Sequence, residues 1–296
     1  MSTTAETRPA EQSSDPSPAR RPILGPSATG GDLRRVLRLS WMLAVADFKL
    51  RFFGSVLGYL WQLMRPLLLF GILFVVFSEF LDFGGGVPFY PVALLLGIVL
   101  FTFFSDATGG GVRALVQREN LVRKIEFPRL AVPLATVMTA SLNLLLNLIP
   151  VVIFLVASGG RVRASWIQIP LILLVLLAFS LGIAMILSVL FVRYRDVEPI
   201  WDVVLQAMFY GTPIFYTGQI VAEKTSETVA ELIMLNPFAA ILQQARHAMI
   251  DPAHESAATA VGGAPMLLIP GAVILLTVAG GFLFFSRRAP LIAEEL

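Results

Sequence analysis

Five carboxylate side chains in this sequence are of a type, and at positions, that would allow them to take part in chemistry at a membrane. Each lies at one end of a long apolar segment, where it could act as a general acid or base or could simply meet water. No GxSxG, HExxH or paired Asp-rich signature accompanies them, so solvation is the better explanation of their position. The five are Glu79, Asp82, Asp106, Asp196 and Glu198.

The residues needed for nucleotide hydrolysis, metal binding and thiol chemistry are missing from the sequence. No GxxxxGK[ST] motif occurs, because none of the lysines, Lys49, Lys124 and Lys224, follows a glycine. There is no cysteine, and the two histidines, His247 and His254, lack HExxH spacing. We therefore predict that the chain is not an enzyme and holds no cofactor or metal of its own.

The charged run Arg113–Arg129 is the strongest candidate for a contact with another protein. A helix over residues 114–127 would place its apolar and charged side chains on different sides, and Glu119 would lie one turn before Arg123, which supports a helix. Such a helix between two membrane spans could be an inert solvated loop or a handle held by a cytoplasmic partner. The rest of the chain favours the handle.

The composition is typical of a membrane protein. Apolar residues make up 56% of the chain and charged residues 14%, against roughly 45–50% and about 25% in soluble domains. Several apolar runs reach the roughly 20 residues that a helix needs to cross a bilayer, so we predict an all-α polytopic membrane protein. A net charge of +2 is too small to indicate nucleic acid. Residues 1–31, rich in Pro and Ser and without an aromatic residue, are predicted to be a disordered tail.

Residues 32–61 are predicted to form an amphipathic helix in the membrane interface. Leu33, Leu37 and Trp41 begin an apolar series at helical spacing, while basic residues occupy the other faces. A helix packed on soluble protein is the alternative, which is less favoured because an apolar span follows immediately.

Six transmembrane helices are predicted within residues 62–286. We expect Gly109–Gly111 to end the second span and Gly211–Pro213 to interrupt the fifth. Asn143 and Asn147 form a polar stripe on the third span, as helix–helix contacts or as the lining of a watery path. The spans cover residues 62–81, 88–108, 130–158, 167–192, 200–216 and 266–285.

The connector before the last span and the basic residues complete the predicted topology. Residues 230–250 are helix-like but too short and too polar to cross, which predicts a re-entrant or interfacial hairpin on the outer side. Most of the 22 Lys and Arg residues fall on one side of the six-span topology. That bias places both termini, including the tail 287–296, and the Arg113–Arg129 run in the cytoplasm.

Five segments resemble the membrane subunit of ABC exporters of the type-2 polysaccharide-export family, which move O-antigen, teichoic acid, capsule or galactan chains. The resemblance extends over about residues 32–285 and depends on the order and spacing of the segments more than on any one of them. The segments are DFKLRFFGSVLGYLWQLMRP (Asp47–Pro66), ENLVRKIEFPRLAVPL (Glu119–Leu134), VRYRDVEPI (Val192–Ile200), TPIFY (Thr212–Tyr216) and LNPFAAILQQAR (Leu235–Arg246).

The resemblance implies an exporter permease that works as a homodimer with two copies of a separate ATPase, which would hold ATP and Mg. It implies a substrate polysaccharide on a polyprenyl-diphosphate lipid, in the bacterial cytoplasmic membrane and in contact with membrane lipids. It also implies that the first cytoplasmic connector is a coupling helix seated in the ATPase. The coupling residues would be Glu119, Asn120, Arg123, Lys124, Phe127 and Arg129.

Candidates for the substrate path follow from the chemistry of such a lipid-linked glycan. Arg51 and Arg65 could hold the diphosphate, since arginine forms paired hydrogen bonds with phosphate, or could anchor the chain at the interface. Aromatic rings could stack on sugars, although an interfacial belt or helix packing is the alternative for each of them. The aromatic candidates are Tyr59, Trp61, Phe209, Tyr210, Phe215 and Tyr216.

Two other functions stay open at this point. One is a type-2 ABC permease for a drug or a small lipid, whose members usually lack the DFKLRFFGSVLGYLW region (Asp47–Trp61) or carry a large outer domain. The other is a membrane-embedded glycosyl- or phosphotransferase that uses the carboxylates at the span ends.

Overall fold

The computed structural model describes residues 32–52, 56–81, 86–123, 127–217, 220–221 and 226–292, with the backbone alone for residues 51, 52, 56, 57 and 59. The predicted disordered tail, residues 1–31, lies outside the described residues. Within the described ranges the regular structure is entirely helical.

The helices differ widely in length, from single turns to long membrane-sized elements. A π-helical turn, Val75–Phe80, continues the second helix, and a 3₁₀ turn, Ala164–Gln168, precedes the sixth. In chain order the helices are α1 (Leu33–Phe52), α2 (Val56–Phe74), α3 (Tyr90–Gln117), α4 (Glu119–Val122), α5 (Ala131–Ala157), α6 (Ile169–Arg193), α7 (Val197–Gly211), α8 (Glu227–Met234), α9 (Pro237–Met249), α10 (Ala257–Ala260) and α11 (Leu268–Arg288).

Five helical segments of the described chain are long and apolar enough to cross a membrane, so the prediction of an all-α polytopic membrane protein is confirmed. The predicted fifth span, residues 200–216, corresponds to α7 and the non-helical residues Thr212–Tyr216 that follow it. With 15 residues, α7 is about 22 Å long. The five long segments are Leu60–Phe80, Tyr90–Gln117, Ala131–Ala157, Ala164–Arg193 and Leu268–Arg288.

The bundle has two ends of different character. At the end called here the basic end, α3 and α6 finish, α5 begins, and α11 finishes with Arg287 and Arg288. At the opposite end, called the far end, α3 and α6 begin and α5 finishes. The central helix is α3, which packs against α2, α5, α6 and α7 and buries most of its side chains.

The prediction that Gly109–Gly111 end the second span is wrong. Helix α3 continues through these glycines to Gln117. A Cβ on Gly111 would lie 2.6 Å from the Cβ of Ala184 on α6, and one on Gly110 would lie 3.0 Å from Cγ2 of Thr136 on α5. The glycines therefore allow close packing of three helices and do not act as helix breakers.

The predicted interface helix, residues 32–61, is divided between two elements, since α1 ends at Phe52 and α2 begins at Val56. On α1, the predicted apolar face is exposed, with Leu33 at 61% and Trp41 at 53%, whereas Val36 and Ala44 are buried against the bundle. The helix is thus held by one face and presents apolar side chains on another, as an interface helix requires.

Residues 230–250, predicted as a hairpin, are formed by α8 and α9 at the far end. Asn236 separates the two helices, because its side chain accepts a hydrogen bond from the backbone N–H of Phe238 at 3.0 Å and Pro237 occupies the first turn of α9. This combination of a capping amide and a first-turn proline starts a helix.

Candidate functional site

The predicted coupling helix, residues 114–127, is shorter in the structure than in the prediction. Helix α3 occupies the first part, and its regular geometry ends at Arg118 (φ −117°, ψ 30°). A separate single turn, α4, follows over Glu119–Val122. Glu119 and Arg123 form the expected ion pair one turn apart, at 2.8 Å.

One side of α4 is exposed and the other is anchored. Asn120 and Arg123 are exposed, and Glu119 is partly exposed. Val122 on the opposite side is fully buried. It belongs to a hydrophobic cluster, the basic-end core, that joins α1, α3, α4, α5, α6 and α11 through Val36, Leu115, Val122, Leu130, Val189 and Phe285.

Three arginines near α4, namely Arg113, Arg118 and Arg129, contact three other helices, α7, α1 and α11. Arg118 forms an ion pair with Asp47 of α1. Arg113 forms one with Glu198 of α7. These two ion pairs therefore link the basic end of α3 and the start of α4 to α7 and α1.

The third of these arginines, Arg129, occupies the interior and not the surface that was predicted for it. Its side chain is 2% exposed, and Nη1 donates a hydrogen bond to the carbonyl oxygen of Ala289, at the end of α11. Burial lowers the pKa of Arg129 below its ordinary value. Of the other predicted coupling residues, Phe127 is half-buried against the basic-end core and Lys124 lies outside the described residues.

Sequence reasoning missed the partners of these arginines. Asp47 and Arg118 are 71 residues apart, and Arg113 and Glu198 are 85 apart. The available signal was that Asp47 and Glu198 each lie in a segment that carries the family resemblance, DFKLRFFGSVLGYLW and VRYRDVEPI.

A surface groove contains two of the predicted path residues. It has a volume of about 340 Å³ and lies between α2, α3 and α7. Arg65 comes from α2 and Phe209 from α7, while Thr102, Ser105 and Asp106 of α3 supply further polar groups. The second arginine candidate, Arg51, lies on α1 with its side chain outside the described residues.

Four of the predicted aromatic residues lie together at the end of α7. The ring of Phe215 lies 5.2 Å from that of Tyr216 and 6.2 Å from that of Tyr210, and Phe209 and Tyr210 are 5.4 Å apart. Phe215 is buried, whereas Tyr210 is exposed. Trp61 is 67% exposed on α2, and the side chain of Tyr59 lies outside the described residues.

The predicted polar stripe of α5 faces the interior of the chain. Asn143 lines a cavity of about 110 Å³ between α1, α3 and α5, together with Asp47, Asp106, Arg118 and Thr139 among others. Both amide atoms of Asn143 are buried without a protein partner. Polar atoms in such a cavity require water. Asn147 is also buried, at 2% exposed.

Helix α7 and the residues after it follow α3 from the basic end to the far end. Trp201 Nε1 donates a hydrogen bond to Thr108 Oγ1 at 3.1 Å, and the rings of Phe209 and Phe101 are 5.1 Å apart. At the far end, the hydroxyl of Tyr90 donates to the carbonyl oxygen of Phe215 at 2.7 Å. The side of α7 turned away from α3 exposes polar residues at Asp202, Gln206 and Tyr210.

Comparison with known proteins gives one family and a consistent set of relatives. Residues 38–250 match the family described as ABC-2 type transporter. Two proteins of Klebsiella pneumoniae, each named O-antigen export system permease protein RfbA, are 32% identical over 197 residues, which is 66% of this chain and 74% of theirs. A Myxococcus xanthus protein of the same name is 25% identical over 249 residues, covering 83% of this chain and 91% of its own.

Proposed function

The chain belongs to the ABC-2 type transporter family, and from that premise we propose that it is the membrane-spanning subunit of an ATP-driven polysaccharide exporter. The cargo is a polysaccharide of the O-antigen kind, carried on a polyprenyl diphosphate across the bacterial cytoplasmic membrane. ATP and Mg bind to a separate ATPase chain. The named function of the relatives, similar over most of their length, supports this cargo.

The observation that carries the proposal is the construction of α4. Its exposed charged side offers Glu119, Asn120 and Arg123 to an ATPase, while Val122 is fixed in the basic-end core. Closure of two ATPase subunits around ATP would push on α4, and the helices that share this core would move with it as a rigid body. The links from Arg118 to α1 and from Arg113 to α7 extend the movement to the amphipathic helix and to the helix that carries Phe209 and Tyr210.

The basic end faces the cytoplasm in this proposal, and the chain crosses the membrane six times. The course of α7 beside α3 supports a sixth crossing in which the non-helical residues Thr212–Tyr216 complete the distance that α7 alone does not cover. Backbone that is not helical is tolerated at membrane depth when protein covers it. An even number of crossings returns both termini to the cytoplasmic side.

Two copies of the chain form the working unit, with the polymer path between them. Asp202 and Gln206, exposed on α7 in one chain, would be costly against lipid but suit a path that contains water and sugars. Arg65 in the groove of about 340 Å³ would hold the diphosphate while neighbouring hydroxyl groups of α3 contact the first sugar. Tyr210 presents an aromatic face on the same side.

Loss of the chain in its native cells tests the cargo. We expect a deletion strain to lose surface polysaccharide and to accumulate the polymer on its polyprenyl carrier inside the cell. The wild-type chain should restore export in this strain. The triple variant, with Gln at positions 119, 123 and 124 in place of Glu119, Arg123 and Lys124, should insert normally but fail to restore export. Normal surface polysaccharide in the deletion strain would exclude this cargo and favour a drug or small lipid; polymer that is never made would favour a transferase.

A further inference from the structure

The non-helical residues Thr212–Tyr216 at the end of α7 are held by side chains from outside their own element. Asn236, between α8 and α9, donates from Nδ2 to Thr212 Oγ1 at 3.1 Å. Arg246 of α9 donates from Nη2 to the carbonyl oxygen of Ile214 at 2.6 Å. Tyr90 of α3 donates to the carbonyl oxygen of Phe215. We call these three donors, Asn236, Arg246 and Tyr90, the far-end latch.

Arg246 is an unusual residue in this position. It is 3% exposed, its Nε has no partner, and no carboxylate of the described residues pairs with it. A buried cation without an acidic partner is costly. Here the hydrogen bond to the carbonyl oxygen of Ile214, which carries a partial negative charge, offsets part of that cost.

The helix that carries Arg246 is itself fixed at the far end. Ser165 Oγ donates to the carbonyl oxygen of Ala248 at 2.7 Å, and Trp166 Nε1 donates to that of Met249 at 3.0 Å, so the 3₁₀ turn before α6 caps the end of α9. The segment that Arg246 holds lies beyond the end of α7, so its carbonyl groups are outside the α-helical hydrogen-bond pattern. Arg246 thus connects a fixed support to a segment that needs outside partners.

Gly97 of α3 makes room for this contact. A Cβ at position 97 would lie 3.2 Å from Ile214 Cγ2, 3.3 Å from Arg246 Nη2 and 3.3 Å from the carbonyl oxygen of Ile214. At position 97, α3 therefore packs directly against the hydrogen bond between Arg246 and Ile214.

We propose that Arg246 is a positioning residue that fixes the outer end of the polymer path through the backbone of residues 212–216. By holding Ile214 against α3, the latch keeps Phe215 buried and stacked on Phe77, with ring centroids 4.4 Å apart. Tyr216 then donates to the carbonyl oxygen of Tyr210 at 3.3 Å, which orders the aromatic residues where the polymer would leave. The role in export rests on the proposed function; the latch itself does not.

A labelling experiment tests the latch without substrate or ATPase. The chain has no cysteine, so a single Ile214→Cys, at a side chain that is 0% exposed, reports on this segment alone. With Arg246 intact, a membrane-impermeant maleimide added to the purified chain in detergent should react slowly. Arg246→Gln should raise the labelling rate about tenfold, because local opening exposes the site, and Arg246→Lys should restore most of the protection.

Arg163→Gln is the matched control, since Arg163 is another arginine at the far end. Its side chain pairs with Asp251 and forms no hydrogen bond to the described residues 212–216. Equal labelling rates in the Arg246→Gln and Arg163→Gln variants would overturn the latch. If Arg246→Gln reduces insertion, Tyr90→Phe removes only one hydroxyl and should still raise the rate; an unchanged rate in that variant would also count against the latch.

The role in export is read from the polymer exported per ATP hydrolysed by the purified complex. Arg246→Gln should lower this ratio by about tenfold, with rescue by Arg246→Lys and no effect of Arg163→Gln. A general loss of folding would instead lower export and hydrolysis together. An unchanged ratio despite faster labelling would overturn the role in export and leave the proposed function untouched.

Discussion

Breaking the ion pair between Asp47 of α1 and Arg118 at the end of α3 should loosen α1 from the bundle. The side chains of Arg118 and Asp47 are 17% and 35% exposed. The pair therefore lies between exposed pairs, worth about 0.2–1 kcal/mol, and buried pairs, whose breaking costs about 3–5 kcal/mol. Nη1 of Arg118 is already buried without a partner, so loss of the carboxylate leaves the guanidinium poorly compensated. We expect Asp47→Asn to lower the free energy of unfolding by about 1–2 kcal/mol.

A double-mutant cycle isolates the contribution of this pair. Asp47→Asn, Arg118→Gln and the double variant are unfolded by heating in detergent, with tryptophan fluorescence as the signal. A loss of 1 kcal/mol corresponds to roughly 2–4 °C in a chain of this size. The control is Asp32→Asn, at the exposed start of α1, because asparagine caps a helix as well as aspartate does.

The coupling energy from the cycle should be about 1 kcal/mol, so that the double variant is nearly as stable as the less stable single variant. Strictly additive losses would show that the two side chains act independently. That result, or a melting temperature of Asp47→Asn equal to that of the control, would refute the reasoning.

Three further predictions concern other parts of the bundle. A Cβ on Gly281 of α11 would meet the carbonyl oxygen of Gly182 on α6, whereas nothing lies within 4 Å of a Cβ on Gly280. Gly281→Ala should therefore lower the melting temperature more than Gly280→Ala does. Equal melting temperatures would contradict this packing. Burial, and then the charge of Arg246, lowers the pKa of His254 to about 4, so its contribution to stability is present above about pH 6.5 and is lost as the pH falls toward 4. Far-end hydrogen exchange should accelerate over that range, and His254→Asn should remove the pH dependence. Asn143→Leu should lower stability more than Asn143→Ser, since a leucine side chain would displace the water that solvates the cavity between α1, α3 and α5; the reverse order of melting temperatures would show a dry cavity.

Local signals in the sequence are sufficient for some parts of this structure. Asn236–Pro237 indicates a helix start because capping depends on residues next to each other, and α9 begins there. The break at Gly211–Pro213 is local in the same way, and α7 ends at Gly211. The pairing of Glu119 with Arg123 follows from one turn of helix.

Other parts depend on contacts that the order of residues does not reveal. The glycines at 109–111 have the composition of a helix breaker, but their role is set by Ala184 and Thr136 on neighbouring helices. Arg129 has the charge of a surface residue, yet it is buried and donates a hydrogen bond to the carbonyl oxygen of Ala289. This burial could not be predicted, because Ala289 is 160 residues away in sequence. The latch formed by Arg246 likewise requires the far end of α3 and the end of α7 to meet.

Isolation of the tagged chain from its native cells in mild detergent tests the central claim most directly. The account predicts that a P-loop ATPase accompanies it in equal amount and hydrolyses ATP in the complex. The double variant Glu119→Arg, Arg123→Glu keeps an ion pair between positions 119 and 123 but reverses the charges offered to the partner. It should reduce binding of the ATPase about tenfold or more. The control Arg287→Gln, in the last turn of α11, should bind normally. Recovery of the chain alone in several mild detergents, or full ATPase binding by the exchanged variant, would contradict the account.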